Sequence, residues 1–242
     1  MFSVVMCVHE DNPFLDEAIK SILNQTYSDF EFIIVANNCT DELYNKIRNY
    51  IDPRIRLFRT NIGQLSFNLN YAINIARGEF IIRMDSDDIS LRNRLELSSG
   101  FIESDYDVIA FSCDYIDEYN NVIGGRHFVD DNASIRKIFL KNPIVHPATM
   151  IRKSVLLANR GYLGGFQSED YDLWIRLDRN KCRFYFSSKK VLEYRIREGQ
   201  SKGSLLPYCE VSGYFIREFL LTLKFTYLLG FIFSVFKRFT RI

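Results

Sequence analysis

Phe80-Ile81-Ile82-Arg83-Met84-Asp85-Ser86-Asp87-Asp88 reads as a buried strand that runs straight into three carboxylates. The strand part is apolar on both faces apart from Arg83, the pattern of a strand covered on both sides. Three carboxylates within four residues repel one another and raise each other's pKa. A divalent cation removes that cost, and carboxylate oxygens with water suit Mg²⁺ or Mn²⁺. An EF-hand is excluded, because its loop glycine and distal glutamate are missing. The other explanation of the cluster is a helix cap, with Asp87 or Asp88 opening a short helix over residues 89–97.

Upstream of this stretch, strand-like and helical patterns alternate. Residues 3–8 form a β-rich run. Asn12-Pro13 opens a helix whose Phe14, Leu15, Ala18, Ile19, Ile22 and Leu23 recur at helical spacing. Strands follow at 30–35 and 55–59, and helices at 41–50 and 63–76. This order predicts an α/β fold with a Rossmann-like, mostly parallel sheet flanked by helices. Ligands on such sheets sit beyond the carboxyl ends of the strands. No GxGxxG follows the first strand, which disfavours a nicotinamide-binding domain.

Downstream, 107–129 reads as strands with a turn at Asn120-Asn121, 132–140 as helical, and 142–150 as extended and broken by Pro143 and Pro147. A glycine-containing loop at 161–165 precedes a helix over 169–180. Strands at 184–187 and 191–195 come next, and the chain is mainly helical from 205.

Composition narrows the function classes. The 242 residues carry 31 basic and 30 acidic side chains, so net charge is +1 and suggests no nucleic acid partner. The five cysteines are widely spaced and form no CxxC pair, which argues against a disulfide framework or zinc site and fits a cytoplasmic setting. The first residues look like a strand rather than a signal peptide. The apolar run 225–236 is shorter than the roughly 20 residues that a spanning helix needs.

Three further constellations carry chemistry. Ser168-Glu169-Asp170 opens a helix, where the dipole favours a carboxylate. The other reading is a general base: a carboxylate far in sequence from the 85–88 cluster, on a loop at the same end of the sheet, could take a proton from an acceptor hydroxyl. In Asn142-Pro143-Ile144-Val145-His146-Pro147, His146 has no Ser or Cys elbow to form a triad, which leaves it a supporting group or an acceptor contact. Residues 195–202 put Arg195, Arg197 and Lys202 on a glycine-containing segment that could close over a diphosphate or simply be a solvated loop.

These segments together resemble glycosyltransferase family 2 enzymes of the GT-A fold, especially bacterial ones that build O-antigen and related surface polysaccharides. The likeness runs from about residue 3 to about 202. It rests on Ser3-Val4-Val5-Met6-Cys7-Val8-His9-Glu10, Ala18-Ile19-Lys20-Ser21-Ile22-Leu23-Asn24-Gln25-Thr26-Tyr27, Asn61-Ile62-Gly63, residues 76–88, His146-Pro147 and Glu169-Asp170-Tyr171-Asp172-Leu173-Trp174. It implies a GT-A catalytic domain over 1–204, with a nucleotide-sugar half at 1–106 and an acceptor half at 107–204. It implies donor contacts from Val8, His9, Glu10, Asn37, Asn61, Arg83, Asp85, Ser86, Arg197 and Lys202, and a Mn²⁺ or Mg²⁺ ion on Asp87 with Asp85. Asp170 is the implied base and Glu169 its fallback. Where the family often has Asp-Asp-Gly-Ser-Thr-Asp, this chain has Ala36-Asn37-Asn38-Cys39-Thr40-Asp41, so an amide stands where a carboxylate often pairs with the base. The Gln-x-x-Arg-Trp segment of processive synthases is missing, which favours single additions.

The expected reaction is inverting transfer of a hexose, galactose or glucose, from a UDP-sugar to a polyprenyl-diphosphate-linked sugar. The alternatives are a sugar nucleotidyltransferase and a non-catalytic nucleotide-sugar-binding module. Residues 205–242 mix aromatic and basic side chains, which suits peripheral contact with an anionic membrane and so the inner face of the cytoplasmic membrane. The other expectation for them is packing on the catalytic core.

Overall fold

The computed structural model describes residues 1–197 and 205–239. Its first half is built from β1 (Phe2–Val8), α1 (Leu15–Leu23), β2 (Phe30–Asn37), α2 (Asp41–Arg48), β3 (Ile55–Thr60), α3 (Leu65–Ile75) and β4 (Phe80–Met84). These strands pair in parallel in the order β3-β2-β1-β4. Side chains alternate across the sheet. Val4, Met6 and Val8 therefore point to one core with Leu15, Ile19 and Ile22 of α1 and Leu43 and Ile47 of α2. Val5, Ile33 and Val35 point to a second core with Leu69 and Ile73 of α3.

One close approach fixes the edge of this half. A side chain on Gly78 would meet the Ser3 backbone nitrogen at 2.6 Å, so the turn into β4 admits only glycine. Glu31 is buried beside it. Burial alone would raise its pKa, but hydrogen bonds from Ser3, the Arg77 amide and Arg56 hold it below the usual carboxylate value.

The second half adds β5 (Ile89–Ser90), α4 (Arg94–Ser99), β6 (Val108–Ile116), β7 (Val122–Arg126), β8 (Thr149–Arg152), α5 (Lys153–Ala158), α6 (Glu169–Arg179) and β9 (Phe184–Arg195). The sheet becomes mixed here. β8 runs antiparallel to β4 and β6, β9 parallel to β6, and β5 antiparallel to β9. The sheet order is completed as β4-β8-β6-β9-β5, with β7 hairpinned on β6.

Several expectations are corrected. The helix over 89–97 is replaced by β5 followed by α4, because Ile89 and Ser90 pair with Glu193 and Leu192 of β9. The helix over 132–140 shrinks to a 3-10 turn at Ser134–Lys137, whose buried Ile135 and Ile138 lie three residues apart, the repeat of that tighter helix. The two strands at 184–187 and 191–195 are one strand. Exposed Ser188, Lys189 and Lys190 interrupt its apolar pattern where its register with β6 shifts. Helix α5 was not foreseen.

Residues 205–239 form a helical hairpin of α7 (Leu206–Thr222) and α8 (Phe225–Phe239). It is seated on the body. Val211, Phe215 and Tyr227 join the second core, Arg217 pairs with Asp172 and Arg179 with Glu218. Among the described residues, no helix is long and apolar enough to cross a membrane.

Candidate active site

The carboxyl ends of β1, β2 and β4 open into a cleft of about 410 Å³ lined by Cys7, His9, Glu10, Asn37, Arg83, Asp85, Ser86 and Arg197, among others. A neighbouring cleft of about 420 Å³ is lined by Tyr115, Arg126, Asn142, His146, Glu169, Asp170 and Tyr194, among others. Leu65, Arg83 and Asp85 line both. The end of β4 thus divides one groove into two compartments, with expected donor residues in the first and both candidate bases in the second.

In the first compartment, His9 Nδ1 lies 2.9 Å from the Asn37 carbonyl. Asn38 turns the chain at φ 47, a left-handed conformation that asparagine tolerates, and this leaves Asn37 at the mouth of β2. Asn37 is buried, and its Oδ1 has no hydrogen-bond partner. Asn12 donates to the Ser86 hydroxyl over 3.3 Å. Two expected contacts fall elsewhere. Val8 is fully buried in the core, because strand alternation gives the cleft to Cys7 instead. Asn61 is exposed and outside the lining, where Gly63 and Leu65 stand. Lys202 lies outside the described residues.

The acidic turn is sorted by its partners. Asp85 pairs with Arg83, and that attraction outweighs the burial that would otherwise lower the arginine's pKa. Asp87 is buried, with its pKa raised by burial and by Asp85; Arg197 opposes the rise through an ion pair of 2.6 Å. Asp88 caps no helix. Its Oδ1 accepts the Arg195 backbone N–H at 2.9 Å, and its Oδ2 is buried without a partner. Burial, then Asp85 and Asp87, push its pKa well up.

Arg195 also departs from expectation. It is fully buried, with Nε donating to the Asp87 carbonyl at 2.7 Å and Nη1 to the Asp117 carbonyl at 2.8 Å and Asn120 Oδ1 at 2.7 Å. Its guanidinium stacks 4.0 Å over the Phe14 ring and pairs with Glu17 at 3.1 Å. It ties the acidic turn to α1 and to the β6–β7 turn rather than facing a diphosphate. Arg197, two residues on, faces the cleft.

The donor set bears on a metal. Among the described residues, no group of three or more His, Cys, Asp or Glu side chains forms a complete cage. Two carboxylates fit an ion that takes its remaining ligands from substrate phosphates and water, as Mg²⁺ does. Arg197 already places positive charge on Asp87, so the residues fit a cation there once that arginine moves.

In the second compartment, Glu169 and Asp170 begin α6. Burial raises both pKa values, and Asp170 raises that of Glu169 further. Asp170 Oδ2 accepts from Asn142 at 2.8 Å and Oδ1 from the Tyr171 amide at 2.7 Å. His146 is buried, and burial followed by the charge of Arg83 holds its pKa well below the usual value. It is neutral, hydrogen-bonded to the Tyr162 hydroxyl at 2.6 Å, and 4.0 Å from Glu169, too far for a hydrogen bond. Arg94 bridges the compartments from beneath, donating to the Arg83 carbonyl at 2.8 Å and the Pro147 carbonyl at 2.6 Å.

Sequence reasoning missed Cys7, Asn142, Arg126, Tyr115 and Tyr194 as lining residues, and Arg94 as a support. Only Asn142 carried a local signal, its place before Pro143. The others reach the cleft through sheet pairing.

A helix-flanked mixed sheet with a groove at its strand ends agrees with the GT-A fold expected from the sequence. The sequence model of Glycosyl transferase family 2 matches residues 3–159, and the chain belongs to that family. It is 41% identical over 228 residues to the O-antigen biosynthesis glycosyltransferase WbnJ of Escherichia coli, covering 91% of this chain and 89% of that one. It is 32% identical over 191 residues to an Escherichia coli UDP-Gal:alpha-D-GlcNAc-diphosphoundecaprenol beta-1,3-galactosyltransferase, covering 75% and 69%. The fold matches that of S. aureus TarS 1-349 in complex with UDP-GlcNAc at a TM-score of 0.73 and 22% identity, over 90% of this chain and 66% of that one. The chain is therefore a transferase of sugars, and the nucleotidyltransferase alternative falls away.

Proposed function

We propose that this enzyme moves a hexose, galactose or glucose, from a UDP-sugar to a hydroxyl of a polyprenyl-diphosphate-linked sugar with inversion, in O-antigen or related surface polysaccharide synthesis. One observation carries the reading: two clefts meet at Arg83 and Asp85, the first also lined by Arg197, which pairs with Asp87, and the second by Glu169 and Asp170. The relatives named above support the donor and acceptor classes.

Asn37 offers an unpartnered, buried amide oxygen at the donor compartment, which complements an imide N–H such as that of uracil. Asp85 and Asp87 are the residues that would hold Mn²⁺ or Mg²⁺, which would supply positive charge against the leaving diphosphate. Arg197, released from Asp87, pairs with the same phosphates. Across the divide, Asp170 takes the acceptor hydroxyl's proton. The hydroxyl oxygen forms a bond to the anomeric carbon as the bond from that carbon to the diphosphate oxygen breaks, and the electron pair leaves with UDP. Burial makes Asp170 a stronger base than a free carboxylate, which suits this step near neutral pH. Asn142 holds the carboxylate in place.

The hairpin is the proposed membrane contact. Leu220, Leu221, Leu223 and Phe225 at its tip are exposed, as are Ile232, Phe233 and Phe236 along α8. Leu223 sits at φ 55, a left-handed position that favours glycine, yet carries a large apolar side chain into solvent. Neighbouring Lys224 adds the charge that an anionic leaflet attracts.

A thermal-shift screen of UDP-galactose, UDP-glucose and GDP-mannose with and without Mn²⁺ tests the donor, since a ligand of the native state raises the melting temperature by mass action. The expected result is a shift for a UDP-hexose that grows with Mn²⁺, followed by transfer to a lipid-diphosphate sugar with an inverted anomeric centre. A shift with GDP-mannose alone, or a retained anomer, overturns the proposal.

A further inference from the structure

Away from the groove, the end of α5, helix α6 and helix α7 share a cleft of about 310 Å³ lined by Arg160, Arg176, Arg179 and Arg217, with Leu163 and Leu221. Among the described residues, no carboxylate lines it. The arginines' partners are two buried carboxylates outside the lining, Asp172 and Glu218. Every oxygen of these two is taken. Asp172 Oδ2 pairs with Arg176 at 2.7 Å and Oδ1 with Arg217 at 2.7 Å, and Glu218 Oε2 pairs with Arg179 at 2.8 Å and Oε1 with Arg217 at 2.8 Å. Four guanidiniums against two carboxylates leave positive charge in excess. Arg160 carries part of that excess: it is exposed, and its side chain has no hydrogen bond or ion pair among the described residues.

The backbone singles out the same residue. Arg160 stands at φ 62 where α5 ends, its amide bonded to the Leu157 carbonyl and that of Gly161 to the Leu156 carbonyl. Such a helix stop favours glycine, so the arginine is kept there against a conformational penalty. A cation at a helix C-terminus recovers part of it through the dipole. The guanidinium bonds none of the end carbonyls, which leaves its donors for a ligand.

Guanidinium forks match phosphate oxygens. No aromatic ring lines the cleft to stack a nucleotide base. Leu221 belongs both to the cleft and to the exposed apolar tip of Leu220, Leu223 and Phe225. A tip seated among acyl chains therefore brings these arginines to the layer of lipid phosphates. We infer that this cleft binds the phosphate of an anionic lipid headgroup, with Arg160 as its free cation. The inference rests on the reading of the hairpin tip as a membrane contact. It adds that the contact selects anionic lipid and fixes which face of the enzyme meets the leaflet.

Co-sedimentation of the full-length protein with phosphatidylglycerol-containing and pure phosphatidylcholine vesicles tests it. The wild type is expected to prefer the anionic vesicles. Arg160→Gly should weaken binding to them about fivefold, the worth of one charge removed at an anionic surface, and Arg160→Glu about tenfold or more. Neither substitution should change binding to phosphatidylcholine or affinity for UDP. Arg160→Gly should melt within a few degrees of the wild type, because φ 62 suits glycine. Lys20→Glu reverses an exposed charge on α1, which packs on the opposite face of the sheet from the hairpin, and should leave vesicle binding unchanged.

Equal losses from Lys20→Glu and Arg160→Glu would assign the effect to net charge and overturn the inference, as would a wild type indifferent to lipid charge. Inorganic phosphate bound through Arg160, with vesicle binding untouched by Arg160→Glu, would place a free anion in the cleft and overturn it too. The two readings fail separately. If serine at Leu220, Leu221 and Phe225 abolishes binding to both vesicle types while the Arg160 variants bind as the wild type does, the cleft falls and the membrane tip stands. If the Arg160 variants lose anionic binding while the serine variant keeps it, the cleft stands and the apolar tip falls.

Discussion

Arg197 closes over Asp87: its Nη2 lies 2.6 Å from Asp87 Oδ2, and the carboxylate beneath is nearly buried. A guanidinium and a divalent cation would compete for that oxygen. Arg197→Gln should therefore tighten Mn²⁺ binding in the absence of nucleotide, by up to about fivefold, the worth of a partly exposed ion pair. The same substitution should lower turnover about tenfold, because it removes a phosphate contact. Mn²⁺ titration of the nucleotide-free protein and steady-state rates check the two halves. Weaker Mn²⁺ binding would mean that the arginine supports the metal site.

Asp170→Asn keeps the shape of the side chain and its contact with Asn142 but cannot take a proton. Turnover should fall by about 10²–10⁴, with KM for the UDP-sugar unchanged. If Glu169→Gln gives that loss and Asp170→Asn does not, the base is the neighbouring glutamate.

The base acts only when ionised, so the rate falls as pH drops through its pKa. Burial raises the Asp170 pKa, and the acid limb of the pH–rate profile should lie above the ordinary carboxylate range. The Asn142 hydrogen bond favours the charged form and pulls the pKa down. Asn142→Ala should therefore move the acid limb to higher pH. A limb that stays in place would remove Asp170 from the proton transfer.

Arg195 is fully buried, and three of its hydrogen bonds go to the Asp87 carbonyl, the Asp117 carbonyl and Asn120. Arg195→Met leaves these acceptors unpaired and should destabilise the fold by about 2–4 kcal/mol in chemical denaturation. Arg197→Gln, at the cleft surface, should cost less than about 1 kcal/mol.

Leu220, Leu221 and Phe225 are 68%, 64% and 64% exposed. Replacing all three with serine removes little packing and should leave the melting temperature within a few degrees. Binding to anionic liposomes should fall at least tenfold, since each large apolar group contributes about 1.5–3 kcal/mol on full burial. Unchanged co-sedimentation would assign the exposed face to something other than a membrane.

The sequence by itself determined the first half of the fold and which polar residues stand at its strand ends. Buried parallel strands read as unbroken apolar runs, helices as periodic ones, and the polar residues just after each strand are the ones ligands meet. That is why the 85–88 turn stood out without coordinates, whereas the Glu169-Asp170 pair stood out as two carboxylates opening a helix. Tertiary structure alone decided which of those residues face solvent and which face the core. A one-residue step along β1 exchanges Val8 for Cys7, and a two-residue step along 195–197 exchanges a buried tie for a cleft cation. It also decided that Asp88 anchors β9 instead of capping a helix, because the two residues after it pair with a strand about a hundred positions away. Such long-range pairing leaves no local periodicity to read, and the same holds for the arginine cleft that α5, α6 and the hairpin share.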